Sequence, residues 1–355
     1  MLGSVAAVSR LPSSRPVKMK FPIIFSSLTL LSQLASAIPT PTENLVDRAV
    51  IVKRATISDV ANLGYAQTNG GTTGGKGGTV TTVSTLAQFT AVANNAKNND
   101  VTPRIIVISG IISGAQQVRI GSNKTVIGLP GAKLVGIGLF VWKQSNVIVR
   151  NIISQNVLAA NGDGITVQAS KNVWVDHCEF SSDLTHGKDY YDGLIDMSHG
   201  SEWVTFSNLY LHDHWKASLV GHSDNNAAED TGHLHVTECN NYWLNIGSRT
   251  PSLRYGVGHV YNSYFKNMNT GIDTRDGAQI LVQSNVFSNV TEPIAALYSD
   301  DTGYANVFDT NLGGAANSAP VGTLSASSMP YTYSLLGSAN VVNSVVATSG
   351  ATLTF

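Results

Sequence analysis

The sequence predicts an all-β chain wound as a right-handed parallel β-helix, with a short N-terminal capping helix. Three observations carry that reading. From Arg104 onward the apolar residues show no helical period, and short β-branched runs alternate with Gly, Asn and Ser. Six runs align column by column: Val147–Ser154, Val173–Phe180, Val204–Leu211, Val236–Trp243, Gly258–Phe265 and Ile280–Phe287. The third column reads Val149, Val175, Phe206, Glu238, Val260, Val282, the fifth reads Asn151, His177, Asn208, Asn240, Asn262, Ser284, and the last is mostly aromatic or Leu. Steps between copies are 26, 31, 32, 22 and 22 residues, so a coil of about 22 residues carries insertions in mid-chain. Such a period, without helices between strands, belongs to a solenoid whose coils stack in register. An immunoglobulin-like sandwich would instead place hairpin turns every ~8 to 12 residues and keep no column register.

Before the solenoid, Met19-Lys20 opens an apolar run, Phe21 to Leu34, that closes on Ala35-Ser36-Ala37, the pattern of a secretory signal peptide. Ser26, Ser27 and Ser32 interrupt the run, which is too short for a membrane span. Residues 1–37 are therefore expected to be a signal peptide, with the start at Met1 or Met19, and the product to be extracellular and without a membrane anchor. Lys53-Arg54 is a dibasic pair that reads as the end of a propeptide over 38–54, leaving 55–355 as one β-helix domain. That domain holds fifteen Lys and Arg against twenty-one Asp and Glu, a net charge near −6, which argues against a nucleic-acid partner.

Gly70 to Lys76 approximates a phosphate-binding loop, but Gly77 stands where the metal-binding hydroxyl is required, so nucleotide binding is rejected. Thr85-Leu-Ala-Gln88 fits a capping box, and Leu86, Phe89, Val92 and Ala93 recur at helical spacing. A helix over Leu86 to Lys97 is expected to close one end of the solenoid, and the strand-poor tail beyond Thr310 the other, since open strand edges need covering. Cys178 and Cys239 fall two coils apart, roughly 10 Å at strand spacing, beyond the about 7 Å that a disulfide tolerates. Two free thiols are expected. Asn123-Lys-Thr and Asn289-Val-Thr are glycosylation candidates.

The charged residues follow similar points of successive coils. Asp163 lies nine residues after Ser154, Asp192 and Asp196 twelve and sixteen after Phe180, Lys216 five after Leu211, and Arg249 and Arg254 six and eleven after Trp243. They should project from one side of the solenoid, with Asp163 and Asp196 as lateral neighbours on coils about 4.8 Å apart. Spacing alone leaves a solvated acidic face open. An oxygen-only set in a calcium-rich extracellular medium favours Ca²⁺.

Val173-Trp-Val-Asp-His177, Asp192-Gly-Leu-Ile-Asp196, Lys216 and Arg249-Thr-Pro-Ser-Leu-Arg254 resemble the secreted pectate lyases of polysaccharide lyase family 1, and the resemblance runs from about Gly64 to Phe287. It implies calcium-dependent β-elimination on polygalacturonate by a monomer, giving unsaturated oligogalacturonides. It further implies Asp163, Asp192 and Asp196 as calcium ligands, Lys216 and Arg254 as carboxylate-binding cations, and Arg249 as the proton-abstracting base. Asn161 stands where some members have another Asp; an amide oxygen can still ligate Ca²⁺, with one charge fewer.

Three rival functions make different demands on these residues. A pectin lyase acting on methyl-esterified substrate should carry a cation in place of the calcium acids and an aromatic cleft. A hydrolase with two carboxylates around a water would leave Lys216, Arg249 and Arg254 without a role. A non-catalytic glycan-binding solenoid should have lost one of these charged residues. His212-x-His214 and His233-x-His235 could be read as zinc ligands, but the sequence supplies no third ligand in column. Tyr190 and Tyr191, in the long insertion from Ser181 to Tyr191, either stack on sugar rings or pack the loop.

Overall fold

Each short β-branched run pairs with its counterpart one coil on, which gives parallel sheets from a single winding chain. The computed structural model describes residues 51–93 and 100–355. The expected signal peptide and most of the expected propeptide lie outside the described residues. One ten-stranded parallel sheet stacks Thr79–Val83, Arg104–Ile108, Lys124–Gly128, Ser145–Arg150, Lys171–Asp176, Glu202–Ser207, His235–Cys239, Val257–Tyr261, Gln279–Gln283 and Tyr304–Phe308 in chain order. A twelve-stranded sheet supplies the other two faces, because Lys133–Trp142 pairs at its start with Ile153–Gln155 and at its end with Ile165–Gln168. Tyr264–Arg275 turns the same corner between Tyr242–Ser248 and Ser252–Arg254. The fold is a right-handed parallel β-helix.

The register is the one the columns predict. Val147, Val173, Val204, Val236, Gly258 and Ile280 are successive partners, and so are Ser154, Phe180, Leu211, Trp243, Phe265 and Phe287. Inside, Trp243 lies over Phe265 with centroids 6.0 Å apart, and Phe265 over Phe287 at 4.4 Å. Stacked rings of this kind add to the apolar area removed from water. Glu238 enters an inward column that otherwise reads Val126, Val149, Val175, Phe206, Val260, Val282 and Val307.

The Asn column has a backbone cause. Asn151, His177, Asn208, Asn240, Asn262 and Ser284 all adopt left-handed backbone with φ between 47° and 56°, a region that Asn tolerates better than most residues. Asn262 Nδ2 donates to Asn240 Oδ1 at 3.1 Å, so side chains do bond along the column. A second ladder runs through Asn245, Asn267 and Asn289 at 3.1 and 3.0 Å.

The ends are covered as expected, with two differences. Leu86–Ala93 is helical and buries Phe89 and Ala93 against Val83, Ile108 and Ile112 of the first coils; the rest of the predicted helix lies outside the described residues. Thr85 Oγ1 accepts the Gln88 N–H at 3.3 Å, but the Gln88 side chain accepts from Ser84 N–H at 3.0 Å and not from Thr85, so the box closes one residue early. At the other end Asn311, Asn317 and Val321 bridge to the last coils. The tail then continues into a helix, Ser338–Thr348, that the sequence analysis did not place. It packs Val341 and Val345 against Tyr242, Leu244, Tyr264 and Val286 on the flank. Cys178 and Cys239 are both buried and free, as the register required.

Candidate active site

The insertion between Glu179–Ser181 and Ile195–Ser198 brings Gly193 under Asp163. Its N–H donates to Asp163 Oδ1 at 2.8 Å, and the Thr166 hydroxyl donates to Asp163 Oδ2 at 2.5 Å. Asp196, on the following strand, pairs laterally with Thr166 and accepts the Leu219 N–H at 3.0 Å. The strand partner of Asp196 is thus Thr166, and not Asp163 as the spacing suggested. The two carboxylates meet all the same, because a Cβ at Gly193 would lie 2.5 Å from Asp196 Oδ1 and 2.9 Å from Asp163 Oδ1. A side chain there would fill the space between them.

Burial raises the pKa of Asp163, the Asp192 charge adds to this, and the Thr166 and Gly193 hydrogen bonds oppose it. Asp196 is pushed well above the ordinary carboxylate range, first by burial and then by repulsion from Asp163. Two carboxylates at close quarters, one buried and one half-buried, destabilised in their charged forms, fit a divalent cation and hard oxygen coordination. The Asp192 charge acts on both carboxylates. Its carboxylate bonds Lys216 Nζ at 3.2 Å, which also bonds Asp189 at 3.0 Å. Among the described residues no three acidic, thiol or imidazole groups converge as a ready-made metal set. Asn161 is half-buried and its Nδ2 donates to the Gly136 carbonyl at 3.3 Å.

Lys216 ends the strand Tyr210–Lys216. Burial would lower its pKa, but the Asp189 hydrogen bond and the Asp192 charge raise it, so the ammonium stays charged. Beside it Arg249 has left-handed backbone, φ 63°, and its carbonyl accepts the Ser218 N–H at 2.8 Å. Lys216, Arg249, Lys188, Trp215 and Tyr298 line one cleft of about 220 Å³. Arg254 sits deeper. It is buried, donates from Nη1 to the Gly221 carbonyl at 2.8 Å and pairs through Nε with Asp276 at 3.3 Å and with Asp224. Asp224 also accepts from Arg275 Nη2 at 3.1 Å.

The family described as pectate lyase matches this chain over residues 32–353. The chain belongs to the pectate lyase family. It is 54% identical over 336 residues to pectate lyase A of Aspergillus niger, covering 94% of this chain and 99% of that protein. With a probable pectate lyase A of Aspergillus fumigatus it shares 56% identity over 328 residues, 92% of this chain and 97% of the relative. A Bacillus pectate lyase solved in complex with trigalacturonate superposes with a TM-score of 0.73 at 32% identity, over 82% of this chain and 98% of that one. The chain is therefore an enzyme, a polysaccharide lyase of family 1.

Within this lyase the other sequence candidates resolve into structural roles. His233 and His235 both bond Glu202, at 2.9 and 2.7 Å, an acidic partner that the sequence analysis did not identify. His212 bonds Asp213 at 2.8 Å. His214 bonds the Asp192 carbonyl at 2.7 Å and Ser182 at 2.6 Å, and burial lowers its pKa to about 4, so it steadies the Asp192 loop as a neutral ring. Tyr191 is buried and donates to Asp183, and Tyr190 stacks on His186 at 4.0 Å; the insertion is packed by its own aromatics. Asn289 is exposed with its Nδ2 on Asn267, and Asn123 is half-buried with its Nδ2 on the Val101 carbonyl at 2.7 Å. Sequence reasoning missed Asp189, Asp224 and Arg275. Arg275 was legible, since it is the register partner of Arg254 one coil on.

Proposed function

We propose that the enzyme cleaves α-1,4-linked polygalacturonate by calcium-dependent β-elimination. The observation that carries this reading is the meeting of the Asp163 and Asp196 carboxylates over Gly193, one coil from the cleft that holds Lys216 and Arg249. Asp163 and Asp196, with Asp192 and the Asn161 side-chain oxygen as further donors, would hold Ca²⁺, which when bound neutralises a uronate carboxylate and acidifies the adjoining C5–H. Lys216 and Arg254 are the cations that hold that carboxylate, and both can strengthen their contacts as charge builds on it.

Arg249 takes the C5 proton. The electron pair of the C5–H bond becomes the C4–C5 double bond, the C4–O4 bond breaks, and the departing oxygen is protonated from solvent. Secretion and action as a monomer complete the proposal. The apolar run ending in Ala35-Ser36-Ala37 supports export, and no described helix is long and apolar enough to cross a membrane. The relatives' names and the trigalacturonate bound by the Bacillus enzyme support the substrate class.

The test is ultraviolet absorbance of unsaturated product on polygalacturonate, with chelator and with added calcium. Activity that chelator abolishes and calcium restores is the expected result. Full activity in chelator removes the calcium assignment. Activity on methyl-esterified pectin alone would favour the pectin lyase reading.

A further inference from the structure

An aromatic and cationic platform stands on the outer side of the same sheet, on the opposite side of the acidic pair from the Lys216 and Arg249 cleft. Phe140 and Trp142 alternate along Lys133–Trp142, with ring centroids 6.3 Å apart and planes 18° from parallel. The Arg119 guanidinium lies 5.4 Å from the Phe140 ring and 4.9 Å from the Trp142 ring, and Lys143 Nζ lies 5.0 Å from Trp142. Arg119, Trp142 and Lys143 are all exposed. An indole left in water beside two cations forgoes the stabilisation that burial would bring.

Register ties the platform to the acidic pair. Phe140 is the strand partner of Thr166, and Thr166 is the partner of Asp196; Trp142 pairs with Gln168 and Gln168 with Ser198. Thr166 is the residue whose hydroxyl bonds Asp163. Phe140 therefore stands two strands from Asp196, roughly 10 Å. In coil order the outer surface reads platform, acidic pair, Lys216, Arg249, Arg254. A chain lying along the solenoid axis over Leu219 and Asp196 keeps to the column of Phe140 and reaches the platform once it extends past the acids.

The chemistry of the platform selects the ligand. Aromatic rings take the C–H face of a pyranose, and guanidinium and ammonium groups take a carboxylate. Rings already flanked by cations hold those charges in place before a ligand arrives. Together they suit a uronate residue better than a neutral sugar. We propose that Arg119, Phe140, Trp142 and Lys143 form an outlying uronate subsite, engaged only by substrates long enough to extend beyond Asp163 and Asp196. This rests on the polygalacturonate reading above and deepens it.

The experiment compares kcat and KM on polygalacturonate and on trigalacturonate for the wild-type enzyme, Trp142→Ala, Arg119→Gln and Trp142→Phe. Trp142→Ala and Arg119→Gln should each raise KM for the polymer about three- to tenfold with little change in kcat. Values on trigalacturonate should stay unchanged, and Trp142→Phe should recover most of the polymer affinity. Arg119→Gln alters only an exposed side chain, so it decides the matter if Trp142→Ala folds poorly. Equal losses on both substrates, or none on either, overturn the subsite while leaving the lyase reading intact. A wild-type enzyme without unsaturated product from polygalacturonate removes both.

Discussion

The Glu238 carboxyl accepts a hydrogen bond from the Ser218 hydroxyl at 2.8 Å inside the solenoid, and its other oxygen has no hydrogen-bond partner among the described residues. Ser218 in turn donates its N–H to the Arg249 carbonyl. A carboxyl in an inward apolar column thus lies directly behind the strand that supports the cleft.

Burial pushes the Glu238 pKa up to about 8, from an ordinary 4.5. The folded state therefore binds the proton more tightly than the unfolded chain. Its contribution to stability is full below about pH 4.5, declines as pH rises towards 8, and levels off above that. The decline amounts to a few kcal/mol, on the order of 1.4 kcal/mol per pKa unit. Glu238→Gln should keep the Ser218 bond, leave Tm near wild type at acid pH and raise it at about pH 9. Thermal scans across pH check this, and parallel Tm curves for the two proteins would count against it.

Legibility followed the physical signal at each place. The six-copy register was readable because inward columns must be apolar and a left-handed bend favours Asn; even His177 and Ser284 sit on that bend. The coils at Thr79–Val83, Arg104–Ile108, Lys124–Gly128 and Tyr304–Phe308 escaped the alignment because they lack the Asn. Ser338–Thr348 escaped because its helical spacing, Val341, Val342, Val345 and Val346, is written in a β-branched residue. The residue types of the site were legible, while Asp192 turning to Lys216 and Asp224 bridging Arg254 and Arg275 were not. Those pairings depend on where two loops place their tips.

Asp196→Asn removes one charge from a repelling pair. Without calcium its Tm near neutral pH should equal or exceed that of wild type, since the charged form of Asp196 is disfavoured by burial and by Asp163. Calcium at ~100 times its Kd should stabilise wild type by about 2.7 kcal/mol, and the variant much less. A variant that melts early yet keeps the full calcium response would make Asp196 a structural residue.

Lys53–Arg54 is paired in parallel with Leu353–Thr354, with Lys53 N–H on the Thr352 carbonyl at 3.1 Å and Ile51 N–H on the Ala347 carbonyl at 2.7 Å. Cleavage after Arg54 would leave Ala55 N–H on the Thr354 carbonyl at 2.8 Å but strip the rest of that edge. A chain starting at Ala55 should melt a few degrees below one that retains 51–54, at roughly 1 kcal/mol for each net hydrogen bond lost. Coincident melting curves would mean that the pairing adds no stability.

Arg249 is the sharpest test of the chemistry. Its guanidinium lines the cleft with Lys216, and its charge acts on both Asp196 and Asp189. Lysine keeps the charge but moves it to a flexible stem without the planar fork. If Arg249 removes the C5 proton, Arg249→Lys should lower kcat about 10²- to 10⁴-fold. Calcium and oligogalacturonate should still bind, because those contacts belong to the acids, Lys216 and Arg254. Lys216→Ala and Arg254→Ala should instead weaken ground-state and transition-state binding together, so KM rises as well. The measurement is kcat of both proteins at saturating substrate and calcium, compared at each pH between about 7 and 10. A near wild-type kcat for Arg249→Lys would move the base to Lys216.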